Sequence, residues 1–210
     1  MRTTRHTLLA ATAAVILVAG CSGSSDDGQD AAPPKQPPTA TGTGPEPSPG
    51  EAEQLPAGKK GTPRGSLPAR EDIDQKDATA VSKAALTVMH SYDTAIDTSR
   101  NDAGRRVADA GWCTGTYAAQ LREAASRSNP GAAWSTWAQH KAYTKPAMQR
   151  TEESGQPADT DTEAYRQWTI TVTPTGRKGW KGTPEISTAY VALTRAAADD
   201  PWRLAAVTVQ

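Results

Sequence analysis

The chain has 210 residues, 23 Lys plus Arg, 23 Asp plus Glu, and a formal net charge of zero. Hydrophobic residues make up 36% and aromatic residues 5%, Phe is absent, and the mean hydropathy is -0.63. The balance excludes a strongly basic nucleic-acid binder and an acidic tail, and the low apolar content excludes a polytopic membrane protein. The residues are unevenly spread. All six Trp and five Tyr lie at Tyr92 or later, while 10 of the 16 Pro lie between residues 22 and 75.

The chain opens with Arg2, Arg5 and His6 and no acid. Leu8 through Ala19 form an apolar run, shorter than the roughly 20 residues of a membrane span. A basic start, a short apolar core and small residues at its end describe a secretory signal peptide over residues 1–20. The run closes on Val18-Ala19-Gly20-Cys21. This tetrapeptide resembles the lipobox of bacterial lipoprotein precursors. The resemblance implies cleavage between Gly20 and Cys21, and a diacylglyceryl group, with further acylation, on Cys21. Two acyl chains suffice for stable anchoring, at about 0.8 kcal/mol per buried CH₂. The expected location is the extracellular face of the cell membrane, with the membrane itself as first partner. Cys113 is then the one remaining Cys of the mature chain. It reads as a small buried apolar residue rather than a nucleophile.

Residues 21–75 read as the lipidated Cys and a disordered tether. Between 22 and 75 stand ten Pro, eight Gly and, besides Ala, only Leu55, Leu67 and Ile73 as aliphatic residues. Such a segment cannot bury enough surface to offset its chain entropy. The stretch from Thr39 to Pro49 has the composition of a cell-wall stalk. Residues 22–75 carry a charge of -4, against +2 for residues 76–210.

Residues 76–210 read as one α+β domain. Val81, Ala85, Val88, Tyr92 and Ile96 recur at helical spacing, which predicts a long first helix. Asn101 or Asp102 caps a second helix that ends at Gly111. A third runs through Tyr117, Leu121 and Ala125 to the breaker Asn129-Pro130-Gly131. The remainder reads as strands: 138–151, interrupted by Pro146 and so at an edge, then 164–173, 186–195 and 202–209. Strands joined by short loops pair antiparallel. Helices followed by a meander of about four strands give helices on one face of a sheet.

Several patterns carry a family resemblance: Ser91-Tyr92-Asp93-Thr94-Ala95-Ile96-Asp97, Gly111-Trp112-Cys113, Ala133-Trp134-Ser135-Thr136-Trp137, Arg166-Gln167-Trp168 and Pro201-Trp202-Arg203-Leu204. With the element order, they resemble the nuclear transport factor 2-like fold, also described as cystatin-like. More narrowly, they are similar to actinobacterial lipoproteins and to envelope proteins of conjugation and secretion with that fold. The resemblance implies three N-terminal helices leaning into a curved sheet that forms a cone. It also implies an assembly role and an envelope protein partner.

Possible chemistry divides two ways. His90, Asp93 and Asp97 lie at spacings of 3 and 4; on a helix they form a metal patch, an acid–base pair or a solvated face, and the solvated face is preferred. His140 is expected at the start of the first strand. Trp134, Trp137, Trp168 and Trp202 can line a pocket, but in a domain without Phe they more simply fill the core. Trp180, in a Gly/Lys turn, is the candidate exposed contact. With Tyr92 and His140, these five Trp are the candidate pocket or contact residues. No nucleophile elbow, zinc spacing or phosphate loop is present, so no catalytic residue, metal, cofactor or nucleic-acid partner is expected. The preferred reading is a non-enzymatic interaction or scaffold module of a cell-envelope assembly. The alternative is a cell-surface small-molecule binder, or a cone-cavity enzyme of the isomerase or cyclase kind.

Overall fold

Asp77 begins the ordered helical part of the chain. Its Oδ1 accepts from the backbone N–H of Thr79 at 2.7 Å and of Ala80 at 3.2 Å, which satisfies two donors a helix start leaves open. The computed structural model describes residues 59, 61–126, 130–152 and 154–210, all within the compact unit Pro49–Gln210. The signal segment, Gly20, Cys21 and most of the tether lie outside the described residues.

Among the described residues, four α-helices and four strands follow in order. They are α1 (Ala78–Met89), α2 (Asn101–Asp109), α3 (Gly115–Ser126), α4 (Ala132–Gln139), β1 (Ala147–Thr151), β2 (Glu163–Val172), β3 (Glu185–Thr194) and β4 (Arg203–Val209). The sheet has the order β1-β2-β3-β4, with every pair antiparallel. The architecture is therefore α+β with an open four-stranded meander. The pairing Leu193↔Leu204 is followed by Ala192↔Ala206, so Ala205 is an extra residue that bends β4.

Strand alternation separates two faces. Ala164, Trp168, Ile170 and Val172 of β2, Ala189, Val191 and Leu193 of β3, and Leu204 of β4 are buried. Across them lies α1, which meets β2, β3 and β4 and buries Val81, Ala85, Leu86 and Val88. Two indole donors are satisfied inside this layer. Trp168 Nε1 donates to Ser82 Oγ at 3.1 Å, and Trp202 Nε1 donates to the Lys76 carbonyl at 3.0 Å. Trp112 is almost fully enclosed. The Trp residues thus supply core volume that Phe supplies elsewhere.

The structure departs from the sequence expectations in the bounds of several elements. There are four helices rather than three, because 132–139 is helical where a turn and the onset of a strand were expected. Trp134 and Trp137, three apart, share one helical face and are both buried, whereas a strand would point them to opposite sides. The first strand starts only at Ala147, directly after Pro146, and is the sheet edge. Finally, α1 stops at Met89, so Tyr92 and Ile96 leave the helical stripe. The backbone of residues 92–94 pairs instead with residues 142–144: Thr94 N–H donates to the Ala142 carbonyl and Thr144 N–H to the Tyr92 carbonyl, both at 2.9 Å.

Residues 61–75, grouped with the tether on composition, lie against the domain. Leu67 and Ile73 touch the core and Pro63 is buried. Arg70–Asp72 form a single 3-10 turn. The Trp202 N–H donates to the Gln75 carbonyl at 2.9 Å.

Candidate functional site

The connection between α1 and α2, residues 90–100, concentrates the buried polar groups. His90, Asp93 and Asp97 neither share a helix face nor meet solvent, and each is buried. Asp93 takes both of its oxygens to Arg177 Nη2, at 2.7 and 2.8 Å, and accepts the Arg64 N–H at 2.9 Å. Asp97 accepts the Asp93 N–H at 2.8 Å and pairs with Arg106. Arg106 also donates to the Ser91 carbonyl at 2.6 Å. Asp102 pairs with Arg105 and turns back to accept from the Thr98 and Ser99 N–H groups, fixing the start of α2. Each of the three buried carboxylates therefore meets an arginine, as a buried charge requires. The expected solvated face is corrected to an internal ionic belt, because the chain leaves the helix before Asp93.

Beside this belt, Tyr92, Trp134 and Trp137 form an aromatic cluster with ring centroids 5.9–6.2 Å apart. The Arg100 guanidinium lies over Trp137 at 4.6 Å and over Tyr92 at 5.7 Å, within cation–π range. Its two Nη atoms grip Glu185 at 2.7 and 2.8 Å, which ties α2 to the start of β3. The Tyr92 hydroxyl and His90 Nδ1 are hydrogen-bonded at 3.1 Å. Burial, reinforced by the Arg100 charge, lowers the His90 pKa to about 4, so the ring is neutral near pH 7. Burial also pushes the Tyr92 phenol up to about 12. A cavity of about 170 Å³ opens here, lined by Met89, His90, Tyr92, Arg100, Gly104, Leu121 and Val209, among others.

The second concavity is on the other side of the sheet. The outward positions of the strands carry Tyr165, Gln167, Thr169 and Thr171 on β2 and Thr188, Tyr190 and Ala192 on β3. A cleft of about 460 Å³ lies over Tyr165, Gln167, Tyr190, Ala192, Ala206 and Thr208, walled by residues 154–157. Gln156 Nε2 holds that wall down by donating to the Tyr165 carbonyl at 3.0 Å. At the end of the same face, Ile186 is 72% exposed.

The structure brings the candidate residues together in two groups, Tyr92 with Trp134 and Trp137, and His140 with Trp180. His140 sits at the C-terminal end of α4 rather than on a strand, and is exposed. It stacks on half-buried Trp180, with centroids 4.2 Å apart and planes 6° off parallel. A Cβ at Gly182 would stand 2.7 Å from that indole and 2.6 Å from Pro174, so the ring is seated over bare backbone. Trp168 and Trp202 are buried in the core, each with its indole N–H bonded within the protein. Cys113 is buried, and burial pushes its thiol up to about 12. The sequence reading missed Arg100, Arg177, Glu185 and the cleft tyrosines. Tyr165 and Tyr190 were accessible to it, since strand alternation sets them opposite Trp168 and Ala189. Among the described residues, no group of His, Cys, Asp and Glu is placed to hold a metal ion, and no helix is long and apolar enough to cross a membrane.

No protein-family model and no curated protein matches this chain. Among solved structures, it is similar to an IcmL-like type IV secretion system protein from Legionella pneumophila subsp. pneumophila str. Philadelphia 1. The identity is 9%, the match covers 69% of this chain and 94% of that one, and the TM-score is 0.42. A likeness this loose assigns no family.

Proposed function

We propose that this chain is a lipid-anchored, extracytoplasmic interaction module that serves a cell-envelope assembly of the conjugative or secretory kind. The lipobox at Cys21 anchors it, the Pro-rich tether gives it reach, and the domain is a nuclear transport factor 2-like cone whose interior is filled. The observation that carries the reading is the use made of buried charge: Asp93, Asp97 and Asp102 are each committed to an arginine. A carboxylate held in a charge pair is a poor general base, and a core of Trp112, Trp168 and Trp202 leaves little room for substrate between α1 and the sheet. The working surface is the outward face of the sheet, polar and uncovered, with its cleft and the exposed Ile186.

The test is recovery from membranes in mild detergent, followed by mass spectrometry. The full chain is expected to retain a discrete set of envelope proteins, and Thr169→Arg with Thr188→Arg on the outward face is expected to lose them. Recovery of no envelope protein, or a set unchanged by the double substitution, contradicts the proposal.

A further inference from the structure

We infer that the cavity at the end of α1 is a binding site for a small, neutral, largely apolar molecule with one hydrogen-bonding head group, of the size and shape of a phenol, whose head pairs with His90. This inference is independent of docking through the sheet face.

Size comes first. The volume is about 170 Å³, close to the engineered apolar cavity of about 150 Å³ that takes up benzene. The walls suit a ring: Met89, Leu121 and Val209 are apolar, and Leu121 lies close over bare Gly104, where a Cβ would come within 3.3 Å of its Cδ2.

The polar end is specific. His90 is 7% exposed, and its Nδ1 is taken by the Tyr92 hydroxyl. Its Nε2 is buried, and among the described residues no group pairs with it. An unpaired buried ring nitrogen costs roughly 1–3 kcal/mol, which a ligand head group relieves. The ring is neutral, so Nε2 accepts or donates one hydrogen bond according to the tautomer. The one formal cation of the lining, Arg100, has both Nη atoms on Glu185. The charge at the site is thus already balanced, and a neutral head group fits better than a carboxylate or phosphate.

The test uses the full chain labelled with [15N]histidine, whose three His give a sparse spectrum. It is titrated with phenol and, separately, with toluene, which matches the ring and lacks the hydroxyl. Phenol is expected to move the His90 ring-nitrogen resonances and leave those of His140 in place. Toluene is expected to bind roughly fivefold more weakly, the value of one net hydrogen bond. His90→Phe is expected to abolish that preference. His90 resonances unmoved by phenol, or equal affinity for phenol and toluene in the wild-type chain, would overturn the inference. The wild-type comparison decides the matter even if His90→Phe does not fold.

Discussion

At the scale of single residues, the domain is governed by charges and rings that the chain has taken out of water. His90 illustrates the consequence for pH. In the unfolded chain it takes a proton near pH 6.5; in the folded chain it does so only near pH 4. Between those values the unfolded state binds more protons. The contribution of His90 is therefore complete above about pH 6.5 and is lost as pH falls toward 4, with roughly 3 kcal/mol at stake. Urea midpoints at pH 7, 5.5 and 4.5 should fall steeply for the wild type and less so for His90→Gln. Parallel slopes for the two proteins would contradict this. Asp93 gives a second prediction. Arg177→Met leaves its carboxylate buried, with the Arg64 and Ala95 N–H groups as remaining donors. The loss is expected to be about 3 kcal/mol, and adding Asp93→Asn should recover part of it. A variant within 0.5 kcal/mol of wild type (roughly the noise of surface substitutions) would show that the pair is dispensable.

At the scale of elements, the cap of α1 and the helix–sheet layer each make a contribution that can be measured. Asp77→Ala removes both side-chain bonds at the start of α1 and should cost about 1 kcal/mol in chemical denaturation. Trp168→Ala empties the centre of the helix–sheet layer and leaves Ser82 Oγ with only its bond to the Thr79 carbonyl; about 3–5 kcal/mol is expected. The strands were legible in the sequence because alternation is a local signal: Trp168, Ile170 and Val172 announce β2 to within a residue of its ends. The end of α1 was not legible. The stripe Val81, Ala85, Val88 continues to Tyr92 in sequence, but pairing of 92–94 with 142–144 decides where the helix stops, and that pairing joins residues about 50 apart. For the same reason His90, Asp93 and Asp97 looked like a solvated helix face. Helix α4 was hidden by its shortness: eight residues with two Trp give too little periodicity to separate helix from strand. Arg100, Arg106 and Arg177 carried no signal of their own, because each gains its meaning from a carboxylate brought to it by the fold.

At the scale of the whole molecule, the proposed function needs a lipid anchor at Cys21. Cys21→Ala should move the protein from the membrane fraction to the soluble fraction of the envelope; continued partition with membranes would exclude a lipid at that residue. Trp side chains and arginine–carboxylate pairs fill most of the domain's interior, so the proposed contact with a protein partner is through surface. The central claim is that this surface is the outward face of the sheet. Its most direct test is photocrosslinking in intact cells, with the probe placed singly at Thr169 or Thr188 on that face and at exposed Lys83 or Gln120 on the helices. The account predicts that the two sheet positions give the same discrete high-mass adduct and that the two helix positions do not. Adducts from the helix positions alone, or none from the sheet, would contradict it.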